Sequence, residues 1–389
     1  MKSNEVTHRR IRAIVLAVLT VGGLLALAAS NAQAHPATGI VVDRKGQVYF
    51  SGLETVWKIG TDGRLTVFRA GIRGRHVHEL SIDGQDNIYG ADISYESSTK
   101  KWISDVWRMS PEGKFDYLLP PTSEPPRGVS IWRDGDGNMY FVDQNNHLKQ
   151  QTLLLRRTPT GAVTTLAGGA YGHVDGKGTQ ANFGSVGGMA FGTDGNLYMT
   201  DGTSVRRVSM NGEVTTLARE LNFRTPEDKP TLFGGAYGNL TGLAVDANGN
   251  VYVADAGNRR LLKVDRAGKV DVVLRTDPPY FPNGVFVTPS HDLLVLEVGF
   301  ALPNISSGPR VRKISAAGQN SILASIGSDG NRHGLKAAVW QRVEAVLESL
   351  IEFFVAAGAR EYTLIALSLA VLGTLGLVWR NRNRQRRRA

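Results

Sequence analysis

Two histidines and a carboxylate lie close together in the segment RGRHVHEL. His76 and His78 are two residues apart, and Glu79 follows directly. Residues two positions apart on a β-strand project from the same face. His76 and His78 could therefore present two imidazoles to a zinc or iron ion. A third ligand is needed, and none is identifiable in the sequence. The competing interpretation is a pair of solvated or packed histidines, and His78 could also serve as a general base.

Acidic residues recur at the ends of short hydrophobic segments such as NMYFVD, NLYMTD and NVYVAD. The full set is Asp92, Asp143, Asp201, Asp255 and Glu297. Their carboxylates could bind a ligand or accept hydrogen bonds from turn amides, and the repetition favours the second role. The segment DGDGN, which starts at Asp134, is not a calcium loop, because its sixth position is Met139 and its twelfth is Asn145. We expect a turn between two strands there.

The segments that carry these residues repeat six times. Each unit has an apolar run such as GLAV, a second strand such as NVYVAD and a third such as LLKVD. A turn that ends in glycine follows, at Gly63, Gly113, Gly161, Gly212, Gly268 and Gly318. Asp62-Gly63 and Asn211-Gly212 are typical of hairpin turns, whose positive-φ positions favour Gly, Asn or Asp. The pattern predicts an all-β fold, a six-bladed β-propeller with four-stranded blades over residues 35–330, because one blade alone cannot bury both faces of its sheet.

In such a ring, the loops that enter the first strands share one face with the loops that join second strands to third strands. The residues just before the first strands are Thr38, His78, Arg127, Gly187, Thr241 and Asn283. We expect them to surround the mouth of a central channel, together with His76, Glu79 and the five acidic residues above. Within this predicted ligand-binding mouth, His78 and Asn283 are the candidates for catalysis.

The segment VYVADAGNRRLLKV resembles the NHL repeat, with Asp255, Asn258 and Arg259 at its characteristic positions. The glycine-rich segment LAGGAYGHVDGKGTQANFGSVGGMAF resembles the linker between NHL blades. The wider relatives are the SMP-30/gluconolactonase and strictosidine-synthase-like propellers. The first of these implies one divalent cation, calcium or zinc, held at the mouth by a Glu, two Asn and an Asp. Asn283, in FPNGVFV, is the one match to that ligand set, and Arg127 would repel a cation.

The net charge of +10 is concentrated at the two ends of the chain. Residues 1–12 carry +3 and residues 380–389 carry +6, so the body between them is nearly neutral. A neutral body lacks the basic stripe that nucleic-acid-binding proteins use, and we predict no nucleic-acid partner. The sequence contains no cysteine, which excludes disulfides and thiolate metal sites.

Both charged ends flank apolar segments. A basic start, an apolar run and an AQA motif that ends at Ala34 predict a signal peptide over 1–34, with an uncleaved anchor as the alternative. Residues 362–379 are uncharged and long enough to form a transmembrane helix, and the basic tail 380–389 is expected in the cytoplasm. Residues 331–361 are predicted to form an amphipathic juxtamembrane helix. A sorting tail that is removed is a weaker alternative, because no Pro-Glu-Pro or Leu-Pro-x-Thr-Gly motif precedes the apolar run.

These features predict a single-pass protein of the cell envelope with its propeller in the periplasm or outside the cell. The favoured function is a scaffold that binds a protein or small-molecule ligand, because no complete catalytic set is visible. The alternative is a metal-dependent lactone or ester hydrolase with its site at the channel mouth. A third hypothesis is an assembly module that contacts another membrane protein through residues 334–379. Propellers support all three roles, so the fold does not choose among them.

Overall fold

The computed structural model describes residues 39–52, 54–72, 74–96, 98–99, 101–123, 131–143, 151–228, 240–299 and 308–327, and the structural statements below concern these residues. They belong to one compact unit, His35–Gly330. The predicted signal peptide, juxtamembrane helix, transmembrane helix and basic tail lie outside the described residues, as do Thr38 and Arg127. In the part of the chain that is described, no helix has the length and apolar character needed to cross a bilayer.

The chain forms six antiparallel sheets, which confirms the six-bladed propeller with four-stranded blades. Blade 1 comprises β1 (Ile40–Val42), β2 (Val48–Gly52), β3 (Thr55–Ile59) and β4 (Leu65–Arg69). Blade 2 comprises β5 (His76–Ile82), β6 (Ile88–Glu96), β7 (Lys101–Met109) and β8 (Phe115–Thr122). Blade 3 comprises β9 (Ile131–Arg133), β10 (Met139–Asp143), β11 (Leu153–Arg157) and β12 (Val163–Ala167).

The second half of the ring has one strand more than the pattern predicted. Blade 4 comprises β14 (Val186–Phe191), β15 (Leu197–Asp201), β16 (Ser204–Val208) and β17 (Glu213–Ala218), and β13 (Gly176–Lys177) of the preceding linker pairs with the β17 edge. A 3-10 turn (Gly178–Gln180) follows β13. Blade 5 comprises β18 (Leu240–Val245), β19 (Val251–Asp255), β20 (Arg260–Val264) and β21 (Val270–Arg275). Blade 6 comprises β22 (Tyr280–Val287), β23 (Leu293–Gly299), β24 (Gly308–Ile314) and β25 (Asn320–Ser325).

The ring closes through side-chain packing between blades 1 and 6. Each innermost strand contacts the innermost strands of both neighbouring blades, and β22 contacts β1. Among the described residues every blade is built from consecutive strands, without exchange of a strand between the first and last blades. Instead, buried Ile40 and Phe50 of blade 1 pack against Leu294, Leu296 and Val311 of blade 6. Burial of apolar surface therefore holds the ring shut.

The turns between third and fourth strands contain the predicted glycines, all six with positive φ. In blade 1, the Gly60 amide donates to Arg64 O and the Gly63 amide donates to Gly60 O. These bonds enclose a three-residue loop in which Gly63 (φ 77°) occupies the left-handed position. Asp62 does not have positive φ; its carboxylate accepts a hydrogen bond from the Arg64 amide instead (3.0 Å).

The turns between first and second strands are held by a repeated set of side chains. In blade 3 the Asp134 carboxylate accepts hydrogen bonds from the Asn138 amide (2.9 Å), from Asn138 Nδ2 (2.8 Å) and from the Tyr140 hydroxyl (2.9 Å). Burial and the neighbouring Asp134 raise the pKa of Tyr140 to about 12, so its hydroxyl remains a donor. The DGDGN segment is thus the turn between β9 and β10, as its sequence predicted.

Candidate functional site

We define the mouth face as the side of the ring on which second strands end and third strands begin. Bulges in the innermost strands position five of the predicted mouth residues there. The register between first and second strands shifts between Val77 and Leu80, Val186 and Met189, Leu240 and Leu243, and Pro282 and Gly284. Those shifts enclose His78, Glu79, Gly187, Thr241 and Asn283. Bulges leave one residue without a ladder partner and redirect the chain locally, a feature common beside functional sites.

Bulge residues also form hydrogen bonds to the neighbouring blade. The Gly39 amide donates to His78 O (3.1 Å), and Thr241 Oγ1 donates to Asn283 O (2.9 Å). A Cβ at Gly187 would lie 2.5 Å from Leu240 O, so only glycine fits there. The innermost ring is therefore packed through its main chain, and the side chains of His78 and Asn283 are buried within it.

The bulge in β5 places His76 and His78 in different surroundings. His76 lies before the register shift and is partly exposed, whereas His78 lies inside the shift and is buried. Regular alternation is interrupted between them, so their spacing no longer places both imidazoles on one face. The structure does not bring a third His, Asp or Glu side chain to this pair within the described residues.

A narrow cavity lies on the ring axis. Its lining comes from the innermost strands of all six blades: Ile40, Glu79, Leu80, Trp132, Gly188, Met189, Gly242, Leu243 and Val285. Its empty space is about 260 Å³, including the solvent at its opening. Glu79, which is 5% exposed, is the one predicted mouth residue in this lining.

The carboxylates that end the second strands of blades 4 and 5 are held by buried arginines. Asp201 accepts hydrogen bonds from Arg206 Nη1 (2.7 Å) and from the Gly184 amide (2.8 Å). Asp255 accepts them from Arg260 Nε (2.8 Å) and from both nitrogens of Asn258 (2.9 and 3.2 Å). All four charged side chains are fully buried. Burial raises the pKa of Asp255 although Asn258 and Arg260 favour its charged form.

The corresponding carboxylates of blades 2 and 6 are also paired. Asp92 forms a two-point ion pair with Arg69 of blade 1 (3.2 and 2.5 Å) and accepts a hydrogen bond from Trp107 Nε1 (2.8 Å). Glu297 is fully buried and is bound by Arg310 and Arg312. Asp143 of blade 3 is half-buried at the end of β10. These ion pairs stabilise the blades. The carboxylates of Asp92, Asp201, Asp255 and Glu297 are therefore each paired with arginine.

The described residues do not fit the divalent cation that the gluconolactonase resemblance implies. Such an ion needs several oxygen ligands around one point. Asn283 and Glu79 lie in bulges of the innermost ring, but the bulges of blades 4 and 5 supply Gly187 and Thr241 in place of an acid or amide. Within the described ranges, no three His, Asp or Glu side chains are grouped closely enough to hold a metal ion.

His173 is a candidate that sequence reasoning missed. It lies in the glycine-rich linker before blade 4, and its Nδ1 is 3.1 Å from Asp201 Oδ2. Its ring rests against Gly184 and Gly202, where an added Cβ would meet its Cε1 atom. About half of the side chain is exposed. A buried carboxylate that accepts from Nδ1 leaves Nε2 able to accept a proton, which is the arrangement of an oriented base. The 28-residue separation of the pair explains why spacing did not reveal it.

With this geometry in view, comparison with known families gives one match. The model of the NHL repeat matches residues 238–264, which include β18, β19 and β20. Blade 5 is therefore similar to the NHL repeat. Its three characteristic residues have structural roles: Asp255 and Asn258 bond to each other, and Arg259 adopts positive φ (53°) and donates from Nη1 to Tyr280 O (3.2 Å). No protein with a curated description matches the sequence.

Solved structures of similar architecture share little sequence with this chain. A luciferin-regenerating enzyme aligns with a TM-score of 0.50 at 14% identity, over 75% of this chain and 94% of that one. A virginiamycin B lyase from Staphylococcus aureus gives 0.45 at 15% identity, over 76% and 86%. A gluconolactonase from Xanthomonas campestris gives 0.46 at 14% identity, over 68% and 83%. At this identity the likeness concerns the propeller fold and not the chemistry.

Proposed function

We propose that this chain is an exported binding propeller of the cell envelope, anchored by residues 362–379, that takes a protein or small-molecule ligand on its mouth face. The observation that carries the proposal is the pairing of the mouth carboxylates. Asp92, Asp201, Asp255 and Glu297 are all held by arginines, so their charge stabilises blades instead of activating water or a metal ion. A rigid ring with neutralised charge suits a platform for binding.

Exposed apolar side chains on the mouth face support this function. Tyr171 and Val174 flank His173 beside the second strand of blade 4, and they are 53% and 49% exposed. Phe223 is 40% exposed and lies under the guanidinium of Arg260 at blade 5 (4.2 Å to the ring centre). We call Tyr171, Val174 and Phe223 the mouth patch. Aromatic residues are enriched in protein interfaces because they bury much apolar area at a small cost in side-chain entropy.

Site-specific photocrosslinking tests the mouth patch. We expect a photoreactive residue at position 171 of the full chain, in its native envelope, to give a product of one defined mass. The matched control is position 210, where Met210 is 37% exposed in the turn between β16 and β17, away from the mouth face. The proposal predicts no such product at position 210. Equal patterns at both positions, or no product at position 171, would contradict it.

The anchoring proposal has its own test. An uncharged run of 18 residues followed by six arginines is long enough to cross a bilayer with its basic end in the cytoplasm. We expect the full chain to resist carbonate extraction from membranes and a chain that ends at residue 361 to be released. Release of both chains would show that residues 362–379 are not a membrane anchor.

A lactone or ester hydrolase is the second candidate, and His173 is the observation that favours it. With Nδ1–H donated to Asp201, Nε2 could remove a proton from water as that water attacks a carbonyl carbon. This route needs no metal ion. It predicts that a panel of lactones and aryl esters includes a substrate whose hydrolysis falls at least about 100-fold in His173→Gln. The exposed turn residue His291 provides the control, because His291→Asn suits its positive φ (63°) and should retain full activity.

A further inference from the structure

Blade 2 carries a hairpin that extends beyond the other blades at the mouth face. Its strands β6 and β7 have nine residues each, whereas the second strands of blades 1, 3, 4 and 5 have five. Asp92 occupies the position at which the shorter strands end, so four residues of each strand continue beyond it. At the rise of a β-strand this is an extension of about 13 Å. The base of the hairpin is therefore the pair of residues Asp92 and Asp105, which are in register.

The base differs in charge from the same position in other blades. In blade 5, Asp255 faces Arg260 across the two strands, and in blade 6 Glu297 faces Arg310. In blade 2 the acid Asp92 faces a second acid, Asp105. Like charges directly opposite each other destabilise an antiparallel pair. Blade 2 thus has two facing carboxylates where blades 5 and 6 have an ion pair, and the cations that compensate them, Arg69 and Arg75, lie outside the two strands.

Asp105 is surrounded by a small set of charged and titratable groups. Its Oδ2 accepts a hydrogen bond from Arg75 Nη1 (3.1 Å), and Arg75 also reaches the Tyr117 hydroxyl on β8 (3.5 Å). Arg69 of β4 forms an ion pair with Asp92. Asp105 is 3% exposed, and its Oδ1 has no hydrogen-bond partner among the described residues. Burial, and secondarily the charge of Asp92, raises the pKa of Asp105 to about 6, although Arg75 and Arg69 act in the opposite direction.

We propose that Asp105 is a proton-responsive residue whose protonation tightens the base of the β6–β7 hairpin and so controls how firmly that hairpin is held over the mouth face. A proton on Asp105 removes the repulsion from Asp92 and the cost of a buried, half-bonded carboxylate. The regulatory role rests on the proposed function, because the hairpin would control access of the ligand to the mouth face. The proton effect itself requires no ligand.

The direction of the pH effect on the hairpin follows from the raised pKa of Asp105. Asp105 holds its proton more tightly with the base closed than in an open state, where its ordinary pKa of 3.8 applies. The closed base is therefore favoured below about pH 4, and this contribution is lost as pH rises through about 6. A difference of about two pKa units limits the change in the opening equilibrium to about 100-fold.

A nitroxide at the hairpin tip tests the proposal in the full chain in detergent. The sequence has no cysteine, so Ser98→Cys provides a unique labelling site at the exposed tip. We expect the electron paramagnetic resonance spectrum to show a growing mobile component from pH 4.5 to pH 8, with a midpoint near 6. In Asp105→Asn, which is nearly isosteric and uncharged, the spectrum should be immobile throughout. No pH response in the labelled wild type, or the same response in Asp105→Asn, would overturn the proposal.

Two further variants distinguish the contribution of Asp105 to the pH response from those of Arg75 and His76. Arg75→Gln removes the cation that lowers the pKa of Asp105, so the midpoint should move to higher pH, which provides a test even if Asp105→Asn does not fold. His76, in register with Ile93 beside Asp92, is a second titratable side chain next to the base. The midpoint of the pH response should be unchanged in His76→Gln. Loss of the response in this variant would assign it to the histidine. Failure to find a ligand would refute the proposed function and leave this measurement intact.

Discussion

Gly90 is the residue on which the packing of blade 2 depends most directly. The indole of Trp107 lies across the second strand at Gly90, and a Cβ there would overlap three atoms of the ring. Trp107 is fully buried and donates from Nε1 to Asp92 (2.8 Å). We expect Gly90→Ala to displace the indole and lower the free energy of unfolding by about 2 to 4 kcal/mol, through overpacking and a lost buried hydrogen bond. Denaturant unfolding measures this loss.

The control for this prediction is Gly135→Ala. Gly135 lies in the turn between β9 and β10, has no positive φ, and has no atom within 4 Å of an added Cβ. Its substitution should change the free energy of unfolding by less than about 0.5 kcal/mol. If both variants lost equal stability, the effect would come from backbone freedom rather than from contact with Trp107.

Single residues were predictable where their role is local. The turn glycines are an example, because positive φ at Gly63 or Gly212 depends on residues within the same turn. Asp105 and His173 were not predictable in this way. The partner of Asp105 is set by the register of β6 with β7, and that of His173 lies 28 residues along the chain. Asp143, Asp201 and Asp255 end their strands as predicted, whereas Asp92 and Glu297 lie inside the longer strands β6 and β23. The arginine partners on other strands could not be read from spacing.

At the scale of one blade, Arg260 joins blade 5 to the linker that precedes it. It is fully buried and binds Asp255 through Nε (2.8 Å) and Asp228 through Nη1 (2.6 Å). Its Nη2 also donates to Leu221 O (3.0 Å). We expect Arg260→Met to lower the free energy of unfolding by about 3 to 5 kcal/mol, because the buried Asp255 loses its cation and Asp228 keeps only Arg275. Denaturant unfolding at neutral pH measures the change.

An exposed ion pair of the same blade is the matched control. Lys269 and Asp271 are 3.3 Å apart, with side chains 71% and 56% exposed. Lys269→Met should leave stability almost unchanged, because surface pairs are screened by solvent. A stable Arg260→Met protein would show that hydrophobic packing, and not the ion pair, holds the linker to blade 5.

The repeated unit was predictable because its four strands and their turns recur along the chain. Two features of single blades departed from the pattern. The linker strand β13 adds a fifth strand to blade 4, although two residues are too few to give a periodic signal. The long hairpin of blade 2 also lacks a sequence counterpart in the other units. Both features depend on what lies beside them in the folded ring, which a repeat alignment does not contain.

For the whole molecule, the decisive structural feature is closure between blades 1 and 6. The sequence left open whether the chain ends exchange a strand between the first and last blades. In the described residues, apolar side chains of blades 1 and 6 pack together and close the ring. A ring held in this way is expected to unfold as one unit, since each blade buries its faces only against two neighbours.

Leu296 tests this closure. It is fully buried in the cluster that joins blades 1 and 6. We expect Leu296→Ala to lower the free energy of unfolding by about 2 to 5 kcal/mol while the denaturant dependence stays that of a single transition. Ile322→Ala on the outer strand of blade 6, where Ile322 is 43% exposed, should cost much less. A separate early transition in Leu296→Ala would mean that blades 1 and 6 open while the rest of the ring remains folded, and that closure is not what makes the propeller cooperative.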